Sequence, residues 1–101
     1  MQETINKLKS YFGFSIKSNS ILFGSDNIIK TKKNLDVVIF CSTATDKHIY
    51  PIQNKGVKCV KLKSILLSEL VGRDNVKVVG IKNLGLSKAI LSFKDMFETL
   101  E

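Results

Sequence analysis

A chain of 101 residues, 44% hydrophobic and 25% charged with a single proline, is long enough to bury a core as one domain and too short for two. That balance excludes a disordered tail, and no run approaches the ~20 consecutive apolar residues of a membrane span. Sixteen Lys and Arg against nine Asp and Glu give a net charge of +7, and a lysine-rich surplus of that kind attracts polyanions, nucleic acid before an anionic membrane.

Ile5, Leu8, Phe12 and Ile16 step by three and four and predict a first helix over residues 2–17. Ile21, Leu22 and Phe23 read as a short strand that stops at Gly24, where the missing Cβ lets backbone approach a ligand closely. Ser25, Asp26 and Asn27 follow at once, and either Ser25 or Asp26 can cap a helix expected to run from Ser25 to Lys33. Lys30 lies one turn further along and faces roughly the same way. Glycine, short polar side chains, free N–H groups and a cation at this spacing suit a phosphate backbone and base edges, and they equally suit an ordinary helix start.

Asp36 to Cys41 is a β-branched apolar run of the kind found in a strand covered on both faces. Thr43, Thr45 or Asp46 can then cap a short helix ending near Gly56, expected to begin late or to break at Tyr50-Pro51, because a mid-helix proline removes a hydrogen bond. Val57 to Lys61 reads as a strand, Ser64 to Val71 as a helix closed by Gly72, and Val76 to Ile81 as another strand. Asn83 caps a final helix whose Leu86, Ile90, Phe93, Phe97 and Leu100 form one apolar, core-facing stripe. Strands alternating with helices predict a three-layer α/β/α sandwich around a small mixed central sheet, in one domain over residues 1–101.

Charge is unevenly spread. Lys47, Lys55, Lys58, Lys61 and Lys63 fall in a stretch without any acid, Lys30, Lys32 and Lys33 cluster behind the glycine segment, and Asp95, Glu98 and Glu101 gather at the end. A basic side with an acidic end fits a polyanion partner better than solubility alone. Cys41 and Cys59 sit inside apolar runs and form no CxxC pair, so buried reduced thiols are expected. With no basic n-region and apolar run after Met1, a secretion signal is not expected and the location is taken as cytoplasmic.

Catalytic patterns are weak. The one histidine, His48, stands beside no cysteine or carboxylate at ligand spacing and is expected to pack on a helix or at the surface, with no metal bound. No serine lies in a G-x-S-x-G elbow, and Gly80-Ile-Lys-Asn-Leu-Gly85 has neither the P-loop ending nor the dinucleotide spacing. Neither an enzyme nor a cofactor is expected.

Four segments, in this order and spacing, carry a family resemblance: Gly24-Ser-Asp-Asn-Ile-Ile-Lys30, Leu35-Asp-Val-Val-Ile-Phe-Cys41, Leu67-Ser-Glu-Leu-Val-Gly72-Arg73, and Val76-Lys-Val-Val-Gly-Ile-Lys-Asn-Leu-Gly-Leu-Ser-Lys88. From about Phe12 to Leu91 the chain resembles the ribosomal-protein family named for L-seven-Ae and L-thirty-e, the kink-turn RNA binders, and within it the short bacterial YlxQ-type members. In that family the first segment reads G-x-N-E-x-x-K and opens the helix that enters the RNA at a kink. The resemblance implies that Gly24 and Lys30 keep their places, while Asp26 and Asn27 occupy the base-reading positions as if acid and amide had traded. Asp accepts from guanine N–H groups and Asn donates to O6 or N7, so the contact pattern differs from the standard one.

The loop Gly72-Arg-Asp-Asn-Val76 is short and polar where the family presents apolar residues beneath an extruded nucleotide, and Ser68 stands where glycine is usual. Arg73 is expected to substitute by stacking or by holding phosphate. The reading is therefore a non-catalytic, monomeric RNA-binding domain, with Gly24, Ser25, Asp26 and Asn27 at the RNA, Lys30, Lys32 and Lys33 on phosphates, and Arg73 closing the other side. Expected partners are ribosomal RNA or a structured mRNA, free or on the ribosome. The rival readings are a protein-interaction module that meets an acidic partner and, further off, a small-ligand enzyme with a pocket away from Gly24.

Overall fold

The structure, a computed structural model, describes residues 2–100. Helix α1 (Gln2–Lys17) leads into strand β1 (Ile21–Phe23) and the six-residue α2 (Ser25–Lys30). Strand β2 (Val37–Phe40), α3 (Asp46–Gln53), β3 (Cys59–Leu62), α4 (Leu67–Val71), β4 (Val78–Ile81) and α5 (Leu84–Leu91) follow. A 3₁₀ turn at Lys94–Met96 then delivers strand β5 (Phe97–Leu100). The five strands form one mixed sheet in the order β1-β4-β2-β3-β5, in which only β2 and β3 are parallel.

Alternation along each strand builds two cores, which makes the expected α/β/α sandwich the observed one. Val37, Ile39, Val79, Ile81, Val60 and Leu62 meet Leu8 and Phe12 of α1, Leu67 and Leu70 of α4 and Ile90 of α5 on one face. Val38, Phe40, Cys59 and Val78 meet Ile28 of α2 and Ile49 and Ile52 of α3 on the other. The all-buried β2 is the fully covered strand that its apolar run predicts. On the α2 face, Gly80 leaves room for the helix. A Cβ there would stand 2.9 Å from Leu35 Cδ1 and 3.3 Å from Ile28 Cγ1.

Three elements differ from expectation. Helix α2 stops at Lys30 because the Lys55 amino group donates to the carbonyls of Ile28 (2.7 Å), Ile29 (3.0 Å) and Thr31 (3.2 Å), and Thr31 itself is extended. Lys32 and Lys33 therefore lie in the turn beyond the helix and not on it. Helix α3 runs unbroken through Pro51, whose exposed ring forgoes only the one helical bond that an N–H at that position would have made back to the carbonyl of Lys47.

The expected long last helix ends at Leu91. Phe93 leaves helical geometry (ψ 65°), and residues 97–100 become the edge strand β5, with Phe97 across from Leu62 and Leu100 across from Cys59. Glu98 faces Lys61 in that register, an opposite-charge cross-strand pair, while Glu101 lies outside the described residues. Cys41 and Cys59 are both buried free thiols, as expected. No helix among the described residues is long and apolar enough to cross a membrane.

Candidate nucleic-acid interface

Strand order decides which of the proposed residues can act together. Gly24 continues β1 by one rung, its N–H donating to Val78 O at 3.1 Å, so it stands at the end of the sheet where β1 finishes and β4 begins. Its backbone (φ 87°, ψ 147°) is one that a side chain would strain, and the space where a Cβ would sit is open. Gly24 is itself the N-cap of α2, so neither Ser25 nor Asp26 caps the helix, contrary to expectation, and the first-turn N–H groups have no side-chain acceptor. Asp26 and Asn27 are exposed, and Lys30, four and three residues on, shares their face.

Asn27 is partly engaged already. Its Nδ2 donates to Phe23 O at 2.9 Å, which leaves the second amide hydrogen and the carbonyl oxygen for a ligand. Arg73 arrives from a distant part of the chain. Gly72 ends α4 in the left-handed region (φ 71°), Asn75 is also left-handed (φ 57°), and Ser68 Oγ accepts from Val76 N at 3.0 Å. That tether folds the loop back so that the Arg73 guanidinium lies 4.0 Å above the centre of the Phe23 ring, a cation–π stack. The structure thus brings Gly24, Ser25, Asp26, Asn27 and Arg73 to one end of β1, with Lys30 one turn along α2. Phe23 belongs to this group although its sequence signal, an aromatic immediately before the glycine, reads equally well as core.

Lys32 and Lys33 are not part of that group. They sit beyond the other end of α2, about 9 Å along its axis, at the end of the sheet where β4 finishes. There Lys33 meets Lys82. Contact with the Lys33 amino group, then loss of solvent, then the like charge hold Lys82 below the ordinary lysine value. Among the described residues, neither lysine makes an ion pair with a carboxylate. Lys82 carries no signal in the sequence, because its meeting with Lys33 depends on β1 and β2 flanking β4.

Other candidates resolve into local structure. Lys55 closes α2 and Lys77 donates to Thr43 Oγ1 at 2.7 Å, so these two lysines are engaged within the chain. His48 accepts the Thr45 N–H on Nδ1 at 3.2 Å and completes the start of α3. Among the described residues no group of three His, Cys, Asp or Glu could hold a metal. Burial pushes the Cys41 thiol up, but hydrogen bonds from the Thr43 hydroxyl, the Thr43 and Leu67 N–H groups and Ser42 outweigh it and leave the thiol below its ordinary pKa. Burial alone raises Cys59.

A hollow of about 510 Å³ lies across the sheet from Gly24, beside β5, between Thr4, Lys63, Ser64, Ser92, Phe93, Lys94, Asp95 and Met96. It is the kind of pocket a small-ligand reading would need, and its lining holds three hydroxyls, two lysines and one carboxylate but neither histidine nor cysteine. Compared with protein-family models, curated proteins and solved structures, the chain matches none.

Proposed function

We propose that this protein binds structured RNA without catalysing a reaction, and that the RNA meets the end of β1 where Gly24–Asn27 and Arg73 converge. The observation that carries the reading is that convergence. An open, glycine-only backbone position, two exposed polar side chains and a guanidinium centred 4.0 Å over an aromatic ring come together from segments about fifty residues apart. An arginine fixed over Phe23 offers a planar face on which an unpaired base can stack. The net charge of +7 supplies the sequence-independent attraction, and Lys30 places one cation beside the reading face.

On this reading the protein acts as a cytoplasmic monomer on ribosomal RNA or a structured mRNA. The traded Asp26-Asn27 pair favours an RNA whose kink differs from the standard sheared G·A arrangement. The alternative, docking of an acidic protein, draws on Ile29 and Tyr50, which expose apolar surface on the α2–α3 layer.

Binding of a kink-containing RNA measured across a salt series tests the proposal. Lys30→Ala should lower the slope of log K against log salt by about 0.9, the value for one lost phosphate contact. Arg73→Ala should weaken binding by about 5- to 100-fold, the range of one lost stacking contact, with less change in slope. Unchanged affinity in both variants removes this end of β1 from the binding face, and capture of a ribonuclease-resistant acidic protein in place of RNA selects the alternative.

A further inference from the structure

Strand β5 is an outer edge of the sheet, and its register fixes which of its backbone groups are free. Lys63 N donates to Met96 O at 3.0 Å, so Lys63–Met96, Lys61–Glu98 and Cys59–Leu100 are the pairs that bond between β3 and β5. The alternate pairs, Leu62–Phe97 and Val60–Thr99, turn the Phe97 and Thr99 backbone away from β3. The Phe97 N–H closes the preceding turn on Lys94 O. That leaves the Phe97 carbonyl and both backbone groups of Thr99 without a protein partner among the described residues.

The side chains of Phe97 and Thr99 fall on the α5 face of the sheet, because Leu62 and Val60 across from them belong to the core there. Beside them lies a hollow of about 270 Å³ lined by Lys58, Val60, Leu91, Lys94, Phe97 and Thr99. Its walls are mainly apolar, it holds two cations, and no acid lines it. Glu98 stands on the other face with Lys61, Asp95 lines the neighbouring hollow, and among the described residues neither Lys58 nor Lys94 makes an ion pair. Proline, a bulge or an inward charge would block such an edge, and β5 carries none of them on this face. The two lysines do discriminate: they repel a second copy of a chain whose net charge is +7 and attract a strand that carries carboxylates.

We propose that β5 receives an extended acidic segment of a partner protein as a sixth strand of the sheet. The incoming residue opposite Thr99 exchanges two backbone hydrogen bonds with it, and its apolar side chain enters the hollow against Val60 and Leu91. In an antiparallel approach the residue two further on donates its N–H to the Phe97 carbonyl. Carboxylates two residues to either side of the apolar one share its face, toward Lys58 and Lys94. The proposal does not rest on the RNA reading. Strand β1, which leads to Gly24, is the opposite edge, four strand spacings or about 19 Å away, so the two ligands do not compete.

The test titrates the full chain with the capped peptide Thr-Glu-Thr-Leu-Thr-Glu-Thr and follows backbone amide resonances. The peptide should shift Glu98, Thr99 and Leu100 saturably and slow solvent exchange of the Thr99 N–H. The same peptide N-methylated at its leucine, which cannot donate to the Thr99 carbonyl, should bind about 2- to 10-fold more weakly, the worth of one net hydrogen bond. A peptide with lysine in place of both glutamates should leave the native chain unmoved and bind the Lys58→Glu/Lys94→Glu variant. Equal binding of the parent and N-methylated peptides to the native chain would overturn strand addition, a comparison that needs no variant to fold. Shifts confined to residues away from β5, or equal binding of the lysine peptide to the native chain, would overturn the site or its charge preference. Protection of Thr99 by RNA, or by raising the protein concentration without peptide, would give the edge to RNA or to a second copy and overturn the acidic partner.

Discussion

The amino group of Lys55 ends α2 by taking three carbonyl oxygens at once, at the negative end of the helix. Lys55→Met keeps the apolar stem and removes those bonds, so unfolding by urea should show a loss of about 1–2 kcal/mol, the worth of exposed charge-assisted hydrogen bonds. The two cysteines act on stability in opposite senses as pH rises. Cys41, held below its ordinary value, contributes stability that is present above the unfolded thiol pKa of about 8.5 and fades as pH falls through its folded value. Cys59, raised by burial, contributes stability that is full below about 8.5 and is lost as pH climbs through its higher folded value. Melting temperatures followed from about pH 7.5 to 10 should therefore fall less for Cys59→Val than for the native chain. An equal fall in both proteins would show that Cys59 takes no part in the alkaline loss.

Helix α2 sits where it does because β4 carries a glycine beneath it. Gly80→Val would drive branched methyl groups into Leu35 and Ile28, against which even a single Cβ is already tight. Overpacking of this kind costs about 1–3 kcal/mol, read as a lower urea midpoint at unchanged m-value. The resonances of Ser25–Lys30 should move with it, and RNA affinity should drop although no proposed contact residue has changed. Strand β5 illustrates the limit of periodicity. Leu86, Ile90, Phe93, Phe97 and Leu100 fit one helical stripe, yet after Phe93 the same residues alternate in and out of a sheet edge. Both patterns bury Phe97, and only pairing with β3, more than thirty residues away, selects the strand.

At the scale of the whole molecule, what could be read from the chain was whatever depends on neighbours in sequence. The strand starts and stops around Gly24, the Asn83 cap accepting from Leu86 N, the αL ending of α4 at Gly72 and the covered β2 all follow from local chemistry. The joining of Arg73 to Phe23, the diversion of Lys55 to α2 and the meeting of Lys33 with Lys82 depend on sheet order, which no short spacing encodes. The candidate site was thus legible as a segment and not as a surface: its reading residues stand together, while two of its three lysines belong to the opposite end of the sheet. The place of β5 at the sheet edge also bears on how the chain is made. A ribosome that has released β3 must still add residues 63–96 before β5 can cover it, so for that interval β3 offers an unpaired row of N–H and C=O groups to any other strand nearby. Slow translation through that interval, or cleavage that removes Phe97–Leu100, would prolong the exposure and turn the nascent domain into a seed for intermolecular β-pairing.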